Sequence, residues 1–124
     1  MENQKEILKA VNKFIIGGDT SDLNLLNEVL HPEYSNVQNG FFGEPGIYVI
    51  SKQKYLSLIE EKTFGGIPRE MEVEYVNIEG NIAMVKANLK SEQLIFKSFI
   101  SLVQAEDNAW QVIGNFPHVV KNEA

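Results

Sequence analysis

Residues 69–89 read REMEVEYVNIEGNIAMVKANL, and the period of this stretch decides the fold. Met71, Val73 and Tyr75 alternate with Glu70, Glu72 and Glu74, the two-residue period of a strand with one wet face. Val76 and Ile78 fall out of that register, which predicts a bulge or bend near Tyr75. Glu79-Gly80-Asn81 reads as a turn and Ile82 to Leu89 as the next strand. Lys90 to Gln93 forms another turn before a strand from Leu94 to Gln104. Glu106 to Asn108 then leads into a last strand, Trp110 to His118, and the tail VVKNEA is expected to fray. Four strands joined by tight turns predict an antiparallel meander.

Upstream the period is helical. Ile7, Leu8, Val11, Phe14 and Ile15 give one buried stripe between Gln4 and Ile16, and Gly17-Gly18 is expected to end that helix. A second helix follows the N-cap cluster Asp19-Thr20-Ser21, buries Leu23, Leu26, Val29 and Leu30, and stops at His31, before Pro32. Glu33 to Gln38 reads as a short strand, Asn39-Gly40 as a turn and FFGEPG as loop. Tyr48 to Ile50 is a brief extended run. Ser51 caps a third helix, about Lys52 to Glu61, that buries Tyr55, Leu58 and Ile59. TFGGIP is loop. Segregated helices and strands indicate the α+β class, and without linker or repeat the 124 residues are expected to form one domain.

With four-residue turns, Met84, Phe99 and Phe116 share one cross-strand row, and Lys86, Lys97 and His118 the next. The opposite face carries Ala83, Val85, Ala87, Phe96, Ser98, Ile100, Leu102 and Ile113. Large apolar residues therefore lie on both faces, whereas a sheet with a solvated face alternates more cleanly. Helices cover one face. A partner subunit is the expected cover for the other, which predicts a homodimer through the sheet.

Seventeen acidic against eleven basic residues give a net charge of −6, so phosphate backbones and anionic membranes repel this chain and neither is an expected partner. With no cysteine there is no disulfide, thiolate zinc site or cysteine nucleophile. No HxH, HExxH or clustered carboxylate surrounds either histidine, so no metal and no cofactor is expected. The first residues, MENQKEILKAVNKF, are charged and amphipathic rather than signal-like, and no apolar run approaches ~20 residues. The cytoplasm is the expected compartment.

The segments GGDTSDLNLLNEVLHPEY, ISKQKYLSLI, GNIAMVKANL, FKSFISLV and NAWQVIGNF together resemble the NTF2-like superfamily. Within it they are similar to the branch labelled "putative lumazine-binding" or SnoaL-like. The resemblance implies a cone in which three N-terminal helices pack on a strongly bent antiparallel sheet, with an apolar cavity at the open end. Enzymatic members place a carboxylate in that cavity as general base. The strand from which it commonly comes reads EYSNVQN here, with Glu33 at the mouth and amides at Asn36 and Gln38. An amide accepts no proton at neutral pH. Ser98 stands where the narrower branch often has an aspartate.

Three functional readings follow. The first is a protein that binds a small apolar or aromatic ligand in the cone, with Tyr34, Asn36, Tyr55, Met84, Phe99, Phe116 and His118 as candidate contacts. The second is an acid–base enzyme (cyclase, dehydratase or isomerase), which needs His118, Glu33 or His31 to reach the cavity with a tuned pKa. The third is a dimeric interaction module whose cavity is filled by its own side chains. His31 also reads as a cation at a helix C-terminus, and His118 as a surface residue near the chain end. Tyr34, Tyr48, Tyr55 and Tyr75 read mostly as core filling, with at most two near a ligand. Trp110 reads as a core anchor, and Lys86 and Lys97 as solvated neighbours. Glu70, Glu72 and Glu74 read as the wet face of an edge strand, and Phe41-Phe42 as a cover for a cavity or a partner.

Overall fold

The structure is a computed structural model that describes residues 2–41 and 43–123; Phe42, one half of the aromatic pair noted above, lies outside the described residues. Its elements are α1 (Glu2–Asp19), α2 (Leu23–Val29), β1 (Leu30–Phe41), β2 (Glu44–Ser51), α3 (Lys52–Glu60), β3 (Glu70–Glu79), β4 (Ile82–Lys90), β5 (Leu94–Gln104) and β6 (Trp110–Lys121). The strands form one curved sheet in the order β2-β1-β6-β5-β4-β3. Neighbours are antiparallel except β1 and β6, which run parallel, and the third helix enters between β2 and β3.

Helix α1 does not end at Gly17-Gly18 but runs to Asp19. Both glycines are buried, and a Cβ on Gly17 would come within 2.9 Å of the Leu26 side chain. Gly17 is small so that α2 can rest on the α1 backbone, whereas a Cβ on Gly18 would meet Arg69 Nη2 at 3.3 Å and Tyr55 Oη at 3.4 Å. The closure comes later: Ser21 takes φ 53, Asp22 N donates to Gly17 O at 2.8 Å and Ser21 N to Gly18 O at 3.3 Å. Those two bonds make a Schellman end. Asp22 then caps α2 by accepting from Leu25 N at 3.0 Å.

Strand β1 is longer than its sequence suggests. It begins at Leu30, where a helix was expected to continue to His31, because Leu30 pairs with Val112 of β6. It continues through Asn39-Gly40, where Gly40 at φ 95 forms a bulge rather than a turn. The hairpin closes with Phe41 opposite Glu44, so Glu44-Pro45-Gly46 is strand and not loop. Proline is tolerated there because β2 is an edge strand. The bulge expected near Tyr75 lies between Val73 and Tyr75. It turns Tyr75 outward, to 40% exposure.

Phe99 pairs with Phe116 and Lys97 with His118, as the turn lengths predicted. The β4–β5 pairing differs by two residues. Met84 faces Ser101 and Lys86 faces Phe99, so the rows are Lys86–Phe99–Phe116 and Asn88–Lys97–His118. Ser91 causes the shift: its N–H donates to Leu94 O at 2.8 Å while its Oγ accepts from Leu94 N at 2.9 Å. A slip of two keeps every side chain on its face. Nor does the end of the chain fray at residues 119–122, since β6 reaches Lys121 and Asn122 N donates to Gln93 O at 2.9 Å.

The helices cover the inner face of the sheet. Val85, Leu89, Ile100, Leu102 and Val112 meet Ile7, Val11, Leu26 and Ile59 there, all at 2% exposure or less. Each such side chain contributes about 1.5–3 kcal/mol. Among the described residues no helix covers the outer face of β4, β5 and β6, and Ile82, Met84, Phe99, Phe116 and Val120 stand 38–56% exposed. Among the described residues no helix is long and apolar enough to cross a membrane.

The link between α3 and β3 is held against the end of α1: Gly66 N donates to Gly18 O at 3.0 Å, and a Cβ on Gly65 would collide with that same carbonyl oxygen. Gly65 also has φ 74, whereas Gly80 at φ 57 has open space around it. In urea unfolding, Gly65→Ala is expected to cost roughly 2–3 kcal/mol, and Gly80→Ala only about 1 kcal/mol, the bare left-handed penalty. Equal losses would mean that the close approach to Gly18 contributes nothing.

Candidate functional site

Alternate residues of β1 share a face, which brings Tyr34, Asn36 and Gln38 to the inside of the cone. They form a ladder: Asn36 Nδ2 donates to Tyr34 Oη at 3.3 Å and Gln38 Nε2 donates to Asn36 Oδ1 at 3.1 Å. Tyr34 and Asn36 are buried and Gln38 is half-buried, so the ladder climbs from the core toward solvent. Asn115 of β6 is the register partner of Asn36. Its Oδ1 is buried without a hydrogen-bond partner among the described residues. Ser98 of β5 adds another buried hydroxyl on the inner face.

Aromatic rings surround these groups. Tyr34 packs on Phe14 at 5.9 Å and on Tyr55 at 5.4 Å. Tyr55 packs on Phe64 at 5.9 Å, Phe64 on Phe41 at 5.7 Å, and Phe41 on Tyr48 at 5.2 Å. Phe14, Tyr34 and Tyr55 sit on regular elements and are buried, so they fill the inner end of the cone. Phe41, Phe64 and Tyr48 are half-buried and line its outer part.

Asp19 and Arg69 close one side. Arg69 Nε donates to Asp19 Oδ1 at 2.6 Å and Arg69 N to Asp19 Oδ2 at 3.0 Å, with the two side chains 15% and 11% exposed. The guanidinium also lies 4.9 Å from the Phe96 ring centroid. Asp19 looked like part of an N-cap cluster, and nothing marked Arg69 except that it is the chain's one arginine and starts an alternating strand. Their meeting spans fifty residues of sequence, which no local pattern encodes.

Electrostatics keep this interior neutral. Burial pushes the Tyr34 hydroxyl well above its ordinary range and Tyr55 adds to the shift, against smaller opposing effects of Asn36, Asn115 and Arg69. Burial also pushes Tyr55 up to about 12, with Arg69 opposing and Asp19 reinforcing. Both tyrosines are therefore hydrogen-bonding alcohols at neutral pH.

The candidate contacts divide into two groups. Tyr34, Asn36 and Tyr55 come together in the cone. Met84, Phe99, Phe116 and His118 project from the other face of the sheet, on rows defined by the β4–β6 pairing. Glu33 and His118 are exposed. His31 Nδ1 accepts from Glu33 N at 3.0 Å, beside the end of α2. Lys52 sits on that helix end, donating to Asn27 O at 3.0 Å and Leu30 O at 2.9 Å, and desolvation lowers its pKa. On the outer face Lys86 donates to Glu74 at 3.0 Å and Asn88 at 2.8 Å. Hydrogen bonds from Asn88 and Lys86 hold the Glu74 carboxyl below its ordinary range. Among the described residues no group of three or more His, Cys, Asp or Glu is placed to hold a metal ion.

Two hollows of about 350 Å³ each lie on the surface, away from the cone. One is lined by Leu23, Asn27 and Leu56 between α2 and α3; the other by Ala10, Lys13, Ala109 and Trp110, beside α1 and the β5–β6 turn.

Helices packed inside a curved six-stranded sheet with this strand order define the NTF2-like fold. An NTF2-like protein of unknown function from Shewanella baltica OS155 superposes with a TM-score of 0.83 at 15% identity, over 98% of this chain and 96% of that one. One from Silicibacter pomeroyi DSS-3 gives 0.82 at 16% identity, over 96% and 97%. A ketosteroid isomerase-like protein from Erwinia carotovora atroseptica SCRI1043 gives 0.71 at 11% identity, over 95% of each chain. The chain belongs to the family described as "Putative lumazine-binding", whose model matches residues 2–116. Among curated proteins there is no significant match.

The tyrosines supply a pH test. Tyr55 binds its proton more tightly folded than unfolded, so its stabilising contribution is full below pH ~10 and is lost as pH rises through about 12. Tyrosinate absorbance at 295 nm is expected to show Tyr55 titrating near 12 and Tyr34 also late. Tyr55→Phe should flatten the decline of stability between pH ~10 and ~12. A decline of the same slope in the variant would place its cause elsewhere.

Proposed function

We propose that this chain binds a small, flat, uncharged molecule in the outer part of the cone and holds it by stacking and neutral hydrogen bonds, without acid–base chemistry. The observation that supports this reading is the Tyr34–Asn36–Gln38 ladder set in a wall of aromatic rings. An apolar pocket with a few convergent polar groups is the usual construction of a small-molecule site. The groups here are alcohols and amides, and Asp19, whose charge reaches Tyr55, is neutralised by Arg69. The family description adds a ligand class that fits: lumazine is a flat pteridinedione with donors and acceptors on its edge.

Isothermal titration with lumazine and with 2-naphthol tests this. Saturable binding of one of them is expected, weakened at least about tenfold by Asn36→Leu, which removes the middle of the ladder. Tyr34→Phe serves as a milder second variant. If the folded protein binds neither probe saturably, the reading fails.

A second reading rests on the outer face. We infer that two copies pack there, because Ile82, Met84, Phe99 and Phe116 stand 38–56% exposed in consecutive rows of β4, β5 and β6, with Val120, 42% exposed, beyond the Asn88–Lys97–His118 row. Contiguous apolar surface on this scale marks an interaction site. Sedimentation is expected to give a dimer that Phe116→Glu converts to a folded monomer. A monomeric parent protein at ~100 μM would exclude the interface, since even a weak specific contact in the μM range populates a dimer there.

A further inference from the structure

Asn115 ends the pairing of β1 with β6, and it carries an acceptor that the fold leaves unused. Its register partners are Asn36 on β1 and Ile100 on β5, both buried on the inner face, so its side chain shares that face. The two ends of its amide differ. Asn115 hydrogen-bonds Tyr34 in the sense that lowers the pKa of the tyrosine, which is the sense of a donor to the phenolic oxygen. The amide nitrogen therefore serves Tyr34. The oxygen, Oδ1, is buried and has no hydrogen-bond partner among the described residues.

The neighbours of Asn115 have no hydrogen to offer it. Ile100 is apolar, and Pro117, two residues along β6, has no N–H. The amide donors of the ladder are committed elsewhere, Asn36 Nδ2 to Tyr34 Oη and Gln38 Nε2 to Asn36 Oδ1. A buried acceptor left in this state costs free energy, and native structures hold few of them. Its place in the sheet matters as much. Beyond the Asn36–Asn115 row the two strands part: Gln38 of β1 lies opposite Tyr48 of β2, and Pro117 of β6 lies opposite Ser98 of β5. Asn115 is itself half-buried and stands at the base of this fork. A ring edge entering there parts β1 from β6 without breaking a ladder bond between them.

We infer that Asn115 is the residue that selects the ligand: its Oδ1 accepts a hydrogen from the edge of the bound ring, at the base of the fork between β1 and β6. The inference rests on the cone-binding reading and deepens it by naming the chemical class. The molecule carries an uncharged donor on its edge, the N–H of a lactam or imide or the O–H of a phenol. A cationic donor is disfavoured, because a charge buried among alcohols and amides has no counter-ion. A plain hydrocarbon, or the same ring with its donors capped by methyl groups, leaves Oδ1 unpaired and is rejected.

The test uses two probe pairs that differ in their donors: lumazine with 1,3-dimethyllumazine, and 2-naphthol with 2-methoxynaphthalene. Each is titrated calorimetrically into the parent protein and into Asn115→Leu, which is apolar and of similar size, with Asn115→Ala as a smaller second variant. The parent is expected to prefer the donor-bearing member of a pair by about tenfold or more. In the variants that preference is expected to fall to about twofold or less, through loss of the donor-bearing member alone. The cycle separates a missing hydrogen bond from mere crowding by the methyl group, since crowding would persist in the variants. If the parent binds a capped member at least as tightly as its partner, or a folded variant keeps the parent's preference, the role of Asn115 is wrong and the cone reading stands. Absence of saturable binding by all four probes sinks both.

Discussion

The parallel pairing of β1 with β6 joins two strands that the sequence separates by most of the chain, and the remaining architecture hangs on it. Leu30 opposite Val112 and Asn36 opposite Asn115 are its two ends, with a register shift between Leu30 and Ser35. That irregularity bends the sheet where β1 crosses under the helices. The bend leaves room for Phe14 and Tyr55 against Tyr34, so the same contact that closes the sheet also shapes the cone. Past Asn115, β6 has β5 on one side and no pairing to β1 on the other. Pro117, which has no N–H to donate, is accommodated there at no cost in ladder bonds.

Around that frame, polarity is placed with economy. The interior polar groups are either hydrogen-bonded to one another, as in the Tyr34–Asn36–Gln38 ladder, or locked as an ion pair, as in Asp19–Arg69. Asn115 Oδ1 is an exception, buried with no partner among the described residues. An unpaired acceptor in a low-dielectric site costs free energy until something donates to it. The same low dielectric keeps both buried tyrosines neutral, so the chemistry on offer is recognition by alcohols, amides and rings.

The sheet presents two apolar surfaces of different character. The inner one is covered by α1, α2 and α3. The outer one mixes Met84, Phe99 and Phe116 with Lys86 and Lys97, and Lys86 lies 5.6 Å from the Phe99 ring centroid. The candidate residues drawn from the strands therefore belong to two separate surfaces. Parity assigned the faces of β4 and β5 correctly but not that of Ile113, because a bulge in β6 seats Val112 opposite Leu102 instead, and parity alone does not say which face the helices cover.

The sequence by itself determined the element types, the position of the β3 bulge, the Ser51 cap, the strand limits of β5 and the face on which each residue of β4 and β5 lies. Those features follow from period and from capping chemistry within a few residues of each position. The amide character of the cone at Asn36 and Gln38 was legible for the same reason: one strand and its alternation suffice to place them. The tertiary structure decided what depends on contacts between distant residues. Gly17-Gly18 looks like a helix stop, yet Leu26 uses the missing side chain of Gly17 to pack on α1, and Arg69 and Tyr55 approach Gly18. Leu30 looks helical until Val112 pairs with it. Ser91 moved the β4–β5 register by two, and Asp19 found Arg69 across fifty residues. Backbone and side-chain propensities act over one turn of helix or one hairpin, whereas packing and ion pairing act between any surfaces the fold brings within reach.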